Sequence, residues 1–440
     1  MKNARATIPD DLSSSVDVFL HVSPNVFTDS GRCPGSKGNR WAAAFRGAPQ
    51  TVMLRDEEIV YIANDWFGEN KTSAHHVAEV LCRHNTVLYV EAAGMRNPRA
   101  AKRDLHKIFR KVSKLFAKPV PAGERFYLYS PFVLPFHRFA LVRRLNKLLV
   151  NFMLRRACRS VGFTNPLLWI FMPHYASAID SIRNKGVIYY CVDEYSAQPK
   201  VDVEMIRTME AQILRRADVV FTVSEELRQR KAGANPHTYL SRHGVDVDLF
   251  ARALSPDTTI PEDAVAISSP VAGFFGLIEE WIDLNLIDHL ATKLPEVSFV
   301  FIGRIAQDVS ALARHTNIHI LGARPYSTLP HYLKKFDVCL LPYKMDDEQV
   351  RNSNPKKLRE YLAGGKPIVS VPLREVEEYD RFVSIAATYD EFVDAVKAAI
   401  ADDSQQERLA RANSVRDESW EGKVERLSTI IGQHIAAITT

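Results

Sequence analysis

Strand-length apolar runs recur along this chain with helix-length amphipathic stretches between them, and this alternation limits its possible folds more than any other feature. Ile59–Ala63, Thr86–Glu91, Leu167–Met172, Val187–Val192 and Val219–Val223 read as strands, with helical patterns at Ser73–His84 and Val203–Arg216. A second set opens at Val271–Gly276 and continues through helix Asp283–Leu294, strands Ser298–Gly303 and Asn317–Gly322, and helix Thr328–Phe336. Strand-like runs at Asp337–Tyr343, Ile368–Val371 and Phe382–Ile385, with a helix over Tyr389–Ala401, complete it. The runs are apolar throughout, as strands covered on both faces should be. They predict an α/β protein of doubly wound parallel sheets with helices on both faces. A chain of 440 residues also exceeds the roughly 250 to 300 at which one core usually divides. Between the two sets, Ser255–Ser269 is rich in Pro, Asp, Thr and Ser, which is linker chemistry. The expected order is a flexible leader over 1–55, a first domain over 56–254, a linker over 255–270, a second domain over 271–415 and a terminal segment over 416–440.

Composition narrows the setting. With 46% hydrophobic and 25% charged residues the chain has an ordinary globular balance, and no apolar run approaches the roughly 20 residues of a membrane span. Five cysteines are scattered without a Cys-x-x-Cys pair, an odd number that fits a reducing compartment better than a disulfide framework. The start lacks the basic end, continuous apolar core and cleavage site of a secretory signal, so a cytoplasmic location is expected.

The stretch from Ser353 to Ser370 carries the strongest chemical signal. Asn354 suits an N-cap and Pro355 the first helical position, so a helix is predicted to begin there with its free N–H groups facing a loop, an arrangement that attracts phosphate. Lys357 and Glu360 lie three residues apart near that end, a cation for a diphosphate and a carboxylate for sugar hydroxyls. Gly364 and Gly365 can close the helix in a left-handed cap, and Pro367 stops its continuation. The competing reading is a plain surface ion pair on an amphipathic helix.

This stretch resembles the donor-site motif of GT-B glycosyltransferases, in which the second Glu of a Glu-x7-Glu pattern holds the nucleotide ribose. Glu360 matches that second Glu, while Asn352 stands where the first would be. Gly273-Phe274-Phe275-Gly276 resembles the first strand and glycine turn of the donor domain, and Gly322-Ala323-Arg324 the turn that meets the base through main chain. His243-Gly244-Val245-Asp246 resembles the hinge. The resemblance implies two Rossmann-like domains facing a cleft, a terminal helix returning to the first domain, and a metal-independent transfer of a sugar, a hexosyl group being expected, from a nucleotide-sugar donor to a hydroxyl of a glycan or lipid-linked acceptor. It is similar to bacterial teichuronic acid and other envelope polysaccharide glycosyltransferases. The nucleotide sugar would be a substrate, and no cofactor is expected. Gly276, Arg304, Ala323, Arg324, Asn354, Lys357 and Glu360 would meet the donor. In the first domain Asp65 and Gly68 follow the first strand, where the acceptor-side loop is expected. His174 and Asp193 stand just past two strand ends as candidate catalytic groups, with Glu194 beside them. Two alternatives are an epimerase of the same fold and a membrane scaffold without turnover.

Metal and nucleic acid are poorly supported. Asp246-Val247-Asp248 imitates an acidic metal pair but sits in the hinge-like segment, where a turn cap is the simpler role. Basic residues crowd the region from Arg96 to Arg159. Two amphipathic basic helices, near 102–118 and 139–156, suit the anionic inner face of a plasma membrane, and no nucleic-acid module accompanies them. The bland reading is that their apolar faces pack on the sheet while the charges are merely solvated.

Overall fold

The computed structural model describes residues 53–67, 71–92, 117–134, 139–198 and 201–436. Most of the leader, Gly68 and nearly all of the basic stretch 102–118 therefore lie outside the described residues.

The first lobe runs β1 (Glu58–Ala63), α1 (Ser73–Leu81), β2 (Thr86–Glu91), β3 (Val120–Gly123), β4 (Phe126–Tyr129), α2 (Ala140–Ser160), β5 (Leu167–Ile170) and α3 (Ala178–Ser181). It continues with β6 (Gly186–Cys191), α4 (Val203–Leu214), β7 (Val219–Thr222), α5 (Glu225–Ala232) and β8 (Thr238–Leu240). Its eight strands lie in the order β3-β4-β2-β1-β5-β6-β7-β8. All neighbours are parallel except the β3–β4 hairpin. The central strands are rich in aromatic and β-branched residues and fully covered: Tyr61, Trp169, Tyr189 and Phe221 each expose 0% of their surface. The hairpin was not anticipated from the sequence. Strand β3 is Val-Pro-Ala-Gly, exposed along its whole length, and Pro121 has no N–H to donate, so it suits only an edge.

The second lobe runs α6 (Val247–Ala251), α7 (Glu262–Val265), β9 (Val271–Phe275), α8 (Leu284–Lys293), β10 (Ser298–Ile302), β11 (Ile318–Gly322), α9 (Leu329–Lys335) and β12 (Val338–Leu341). After these come α10 (Glu348–Asn352), α11 (Lys356–Ala363), β13 (Ile368–Ser370), α12 (Arg374–Glu377), β14 (Val383–Ile385), α13 (Tyr389–Ala401) and α14 (Gln405–Ser414), and α15 (Trp420–Ala436) then returns to the first lobe. The parallel sheet order is β11-β10-β9-β12-β13-β14. Its core takes in Val245, Phe250 and Ala253 as well as Ala264 and Ile267, so the chain joins this lobe before the Pro- and Ser-rich stretch 255–270 begins.

Each sheet has one place where consecutive strands depart in opposite directions: between β1 and β5 in the first, between β9 and β12 in the second. Loops leaving the carboxyl ends there must diverge, one above and one below the sheet, and the gap they leave is where open α/β sheets hold ligands.

Two segments join the lobes side by side. Val245 forms a parallel bridge with Ser419, and its N–H donates to the Glu418 carbonyl at 3.0 Å. A side chain at Gly244 would stand 2.8 Å from the Trp420 ring, so only glycine lets the two crossings touch. Beyond them α15 buries Trp420, Val424, Leu427 and Ile431 in the first core. Covering four such side chains contributes roughly 6 to 12 kcal/mol before ordering costs.

Candidate functional site

The site on the second lobe is built around α11. This helix starts at Lys356, one residue later than the sequence suggests, with Pro355 in the cap position. Asn354 does not cap it. Its side-chain amide, buried at 4%, donates to the Val223 carbonyl (2.8 Å) and the Glu375 carboxylate (3.0 Å), while its oxygen accepts from the Arg359 guanidinium at 2.7 Å. Three buried partners outweigh one cap bond. Asn354 thus ties the motif to the first lobe through its side chain. The helix ends as expected: Gly365 adopts φ +70°, the Gly365 N–H reaches the Leu362 carbonyl (2.8 Å) and the Lys366 N–H that of Tyr361 (3.0 Å).

Lys357 and Glu360 diverge. Lys357 runs over the Phe274 ring, its ammonium 5.4 Å from the centroid, and across the turn at Gly276. A Cβ at Gly276 would lie 1.9 Å from Lys357 Cε, so the glycine is what lets the lysine pass. Burial pulls the ammonium down to about 8, partly offset by the charge of Glu360. Glu360, 2% exposed, accepts from the Tyr326 hydroxyl (3.1 Å) and faces the Lys356 ammonium at 3.4 Å. Lys356 also donates to the Lys71 carbonyl of the first lobe at 2.8 Å. Glu360 therefore has its own cation, and Lys357 is left to the glycine turn.

The turns after three adjacent strands close on one another. The Gly276 N–H donates to the Ile302 carbonyl (2.7 Å) and the Gly303 N–H to that of Gly322 (2.9 Å). Gly303, at φ +151°, admits the Gly276 carbonyl where a Cβ would stand 1.8 Å away. Arg304 follows on the exposed rim. Ala323 is exposed as well, whereas the Arg324 side chain is held by Asp263 (2.6 Å) and the Tyr332 hydroxyl (2.8 Å). The Ala323 carbonyl also accepts from the Arg324 guanidinium at 2.9 Å.

On the first lobe Asp65 lies past β1, exposed, its carboxylate accepting from the Phe67 N–H at 3.0 Å. Gly68 lies outside the described residues. His174 sits in a short turn just after β5, its ring 4.8 Å from that of Tyr175. Asp193 follows β6 and accepts from Gln198 (3.2 Å) and, across the cleft, from Gln349 of α10 (3.0 Å). Burial pushes its carboxyl up to about 6 against the lowering effect of these bonds. Glu194 corrects the expectation that it points to the cleft. It turns inward to the buried Lys231 ammonium (3.1 Å), which Glu210 shares at 2.7 Å. A carboxylate beside a buried lysine is worth more as its counter-ion than as a solvated group, and Lys231 and Ser196 hold it below its ordinary range despite burial. The structure thus places Asp65, His174 and Asp193 after β1, β5 and β6, three neighbouring strand ends, two of which flank the switch point.

Among residues the sequence reading missed, Lys356 carried a legible signal, since it stands four before Glu360 on the same helix. Tyr326, Gln349 and Lys71 carried none, because only the closed fold brings them in. Asp246 caps α6 through the Leu249 N–H (3.0 Å). Among the described residues no cluster of three or more His, Cys, Asp or Glu is placed to hold a metal ion.

Known proteins share this layout. Residues 269–402 match the family described as Glycosyl transferases group 1. Sucrose-phosphate synthase from Thermosynechococcus elongatus superposes with a TM-score of 0.63 at 13% identity, over 87% of this chain and 100% of that one. The chain has the GT-B fold. Other solved structures agree: α,α-trehalose 6-phosphate synthase from Burkholderia multivorans (TM-score 0.60, 13% identity, 87% and 100% covered) and Anabaena HepE in complex with UDP and glucose (0.55, 14%, 88% and 97%). The putative teichuronic acid biosynthesis glycosyltransferase TuaH of Bacillus subtilis (strain 168) is 28% identical over 223 residues, covering 47% of this chain. The match spans 55%, about half, of that relative's length. In GT-B terms the Gly276 turn, Lys357 and Glu360 occupy the switch point of the second lobe, and Asp65 and His174 that of the first.

Proposed function

We propose that this chain moves a sugar, a hexose in the simplest case, from a nucleotide-sugar donor to a hydroxyl of a glycan or lipid-linked acceptor in envelope polysaccharide synthesis. The observation that carries the reading is the meeting of Lys357, the Gly276 turn and Glu360 at one switch point. A half-buried ammonium free of Glu360, a glycine turn open to close approach and a helix start with unpaired N–H groups suit a diphosphate. Glu360, one turn on, is assigned to the ribose hydroxyls, and the turn at Ala323, an exposed residue, to the base. Arg304 on the rim adds charge for the phosphates.

The chemistry follows from that placement. The acceptor oxygen bonds to the anomeric carbon as the bond from that carbon to the diphosphate oxygen breaks. The acceptor's proton passes to Asp193, ionised at neutral pH, and the leaving diphosphate keeps the bond's electron pair under Lys357 and Arg304. His174, on the neighbouring strand end, is assigned to the sugar. No step calls for a metal. Support for the envelope setting comes from the similarity to TuaH and from the basic first lobe, which also suit a cytoplasmic enzyme working at the inner membrane face. No helix among the described residues is long and apolar enough to cross a membrane.

Calorimetric titration of a nucleotide-sugar panel into the wild type and Glu360→Ala tests this. One donor should bind, and the variant should bind it at least tenfold more weakly. Failure of every donor to bind either protein would overturn the assignment.

A further inference from the structure

The long helix α2 carries apolar side chains on both of its faces. Its inner face buries Met153, Leu154, Ala157 and Cys158 in the first core, with Asn146 and Asn151 beside them. On the opposite face Leu141, Leu145, Leu148 and Phe152 fall at helical spacing and remain 77%, 49%, 67% and 50% exposed. Four large apolar groups in one exposed stripe on a folded protein mark a surface that meets something. Arg144 and Arg155 are exposed along the border of the same stripe, and residues 140–160 contain no Asp or Glu.

The helix is also placed with respect to the site. It leaves the carboxyl end of β4 and returns to the amino end of β5, so it runs against the strands. At 21 residues it is about 31 Å long, more than twice the length of the four-residue β5. Two contacts fix its height. Asn151, midway along, accepts from the Ser177 hydroxyl at 3.1 Å, three residues past His174. Asn146 clasps both backbone groups of Leu134, beyond β4, at 2.8 and 3.0 Å. The half of α2 bearing Leu141, Leu145 and Leu148 therefore stands at the carboxyl edge of the sheet, the edge that carries Asp65, His174 and Asp193.

We propose that this face of α2 docks on an anionic lipid bilayer, with Leu141, Leu145, Leu148 and Phe152 entering the interface and the flanking cations meeting lipid phosphates, so that the acceptor edge of the first lobe opens toward the membrane. The orientation rests on the transfer reading above, and it commits the acceptor to the lipid-linked class. Charge decides the occupant. A second copy laid on the same face would set cation against cation, and the chain's own basic stretch 102–118 has the same sign as α2. An anionic surface satisfies both the stripe and its border.

The test is flotation of the full chain with phosphatidylcholine vesicles, with or without about 30% phosphatidylglycerol. The wild type should float with the anionic vesicles and fall off at high salt. Leu148→Asp should lower partitioning at least tenfold, and Arg144→Glu should lower it while flattening the salt dependence, with both variants keeping the wild-type melting temperature and nucleotide-sugar affinity. Failure of the wild type to float, equal flotation of Leu148→Asp, or a lipid-free dimer that Leu148→Asp dissociates would each overturn the proposal. A wild type that binds donor but no vesicle refutes the docking face alone, whereas a wild type that binds vesicles but no donor refutes the transfer reading.

Discussion

Replacing Gly276 by Ala isolates the one contact on which the donor side depends. The new Cβ would stand 1.9 Å from Lys357 Cε and 2.5 Å from Nζ, far inside ordinary contact, so the lysine must leave its groove. Two costs follow. Alanine at φ +142° carries strain of about 1 to 3 kcal/mol, which appears as lost stability. Displacing the ammonium forfeits a charge-assisted bond to the diphosphate of about 1.5 to 3 kcal/mol, or roughly ten- to 150-fold in affinity. Lys357→Ala alone should cost the same affinity without the strain. In the double variant the clash is gone because the lysine is gone, so affinity should fall no further than in either single variant. Calorimetry with the donor, paired with thermal melts, reads both quantities across the cycle. Additive affinity losses would show that Gly276 and Lys357 act separately. Unchanged affinity in Gly276→Ala would remove Lys357 from the diphosphate altogether.

Arg359→Met should cost about 3 to 5 kcal/mol in denaturant unfolding, since the guanidinium is 0% exposed and binds Glu418 and the Asn354 oxygen, so that the carboxylate loses its cation and the oxygen its donor; a loss under about 1 kcal/mol would refute a structural role. Asp193→Asn should lower turnover at least roughly a hundredfold with donor affinity kept, and the wild-type rate should rise as pH passes about 6 and the carboxylate forms. Because the folded carboxyl keeps its proton to a higher pH than the unfolded one, the stability it contributes is present below its ordinary value and lost as pH rises through about 6, a slope that Asp193→Asn should remove.

The elements that a sequence can announce are those whose signal is local. Strands β1, β5, β6, β7 and β9 were legible because both faces are buried, so nearly all of their residues had to be apolar. Strand β3, bare on an edge, had no such requirement and gave no signal. The glycine cap after α11 was legible for the same local reason, as was Glu360 in its motif. Contacts between lobes were not. Asn354 reads as a cap in one dimension and becomes a clasp only when Val223 and Glu375 arrive. Glu194 and Asp193 are neighbours at one strand end, yet the pairing of Glu194 with Lys231 turns one inward while Gln349 takes the other across the cleft.

Asn352 shows how the two lobes constrain the donor motif. It stands where the Glu-x7-Glu pattern has its first carboxylate, it is 1% exposed, and its carbonyl accepts from the Ser224 hydroxyl of the first lobe at 2.6 Å. Its amide donates to the Glu348 carbonyl at 2.6 Å, a bond that a carboxylate cannot make. Glutamate here would place two acceptors face to face and bury a charge, a penalty of several kcal/mol. The side-chain oxygen of Asn352 has no protein partner among the described residues, so a single neutral acceptor remains at this position. The bond to the first lobe is made by the Asn352 backbone carbonyl, while the side-chain amide braces α10 itself, whose Gln349 reaches Asp193. Residue 352 and the partner of the proposed base thus share one short helix that meets the first lobe, a neighbourhood that the motif alone, within one lobe, does not display.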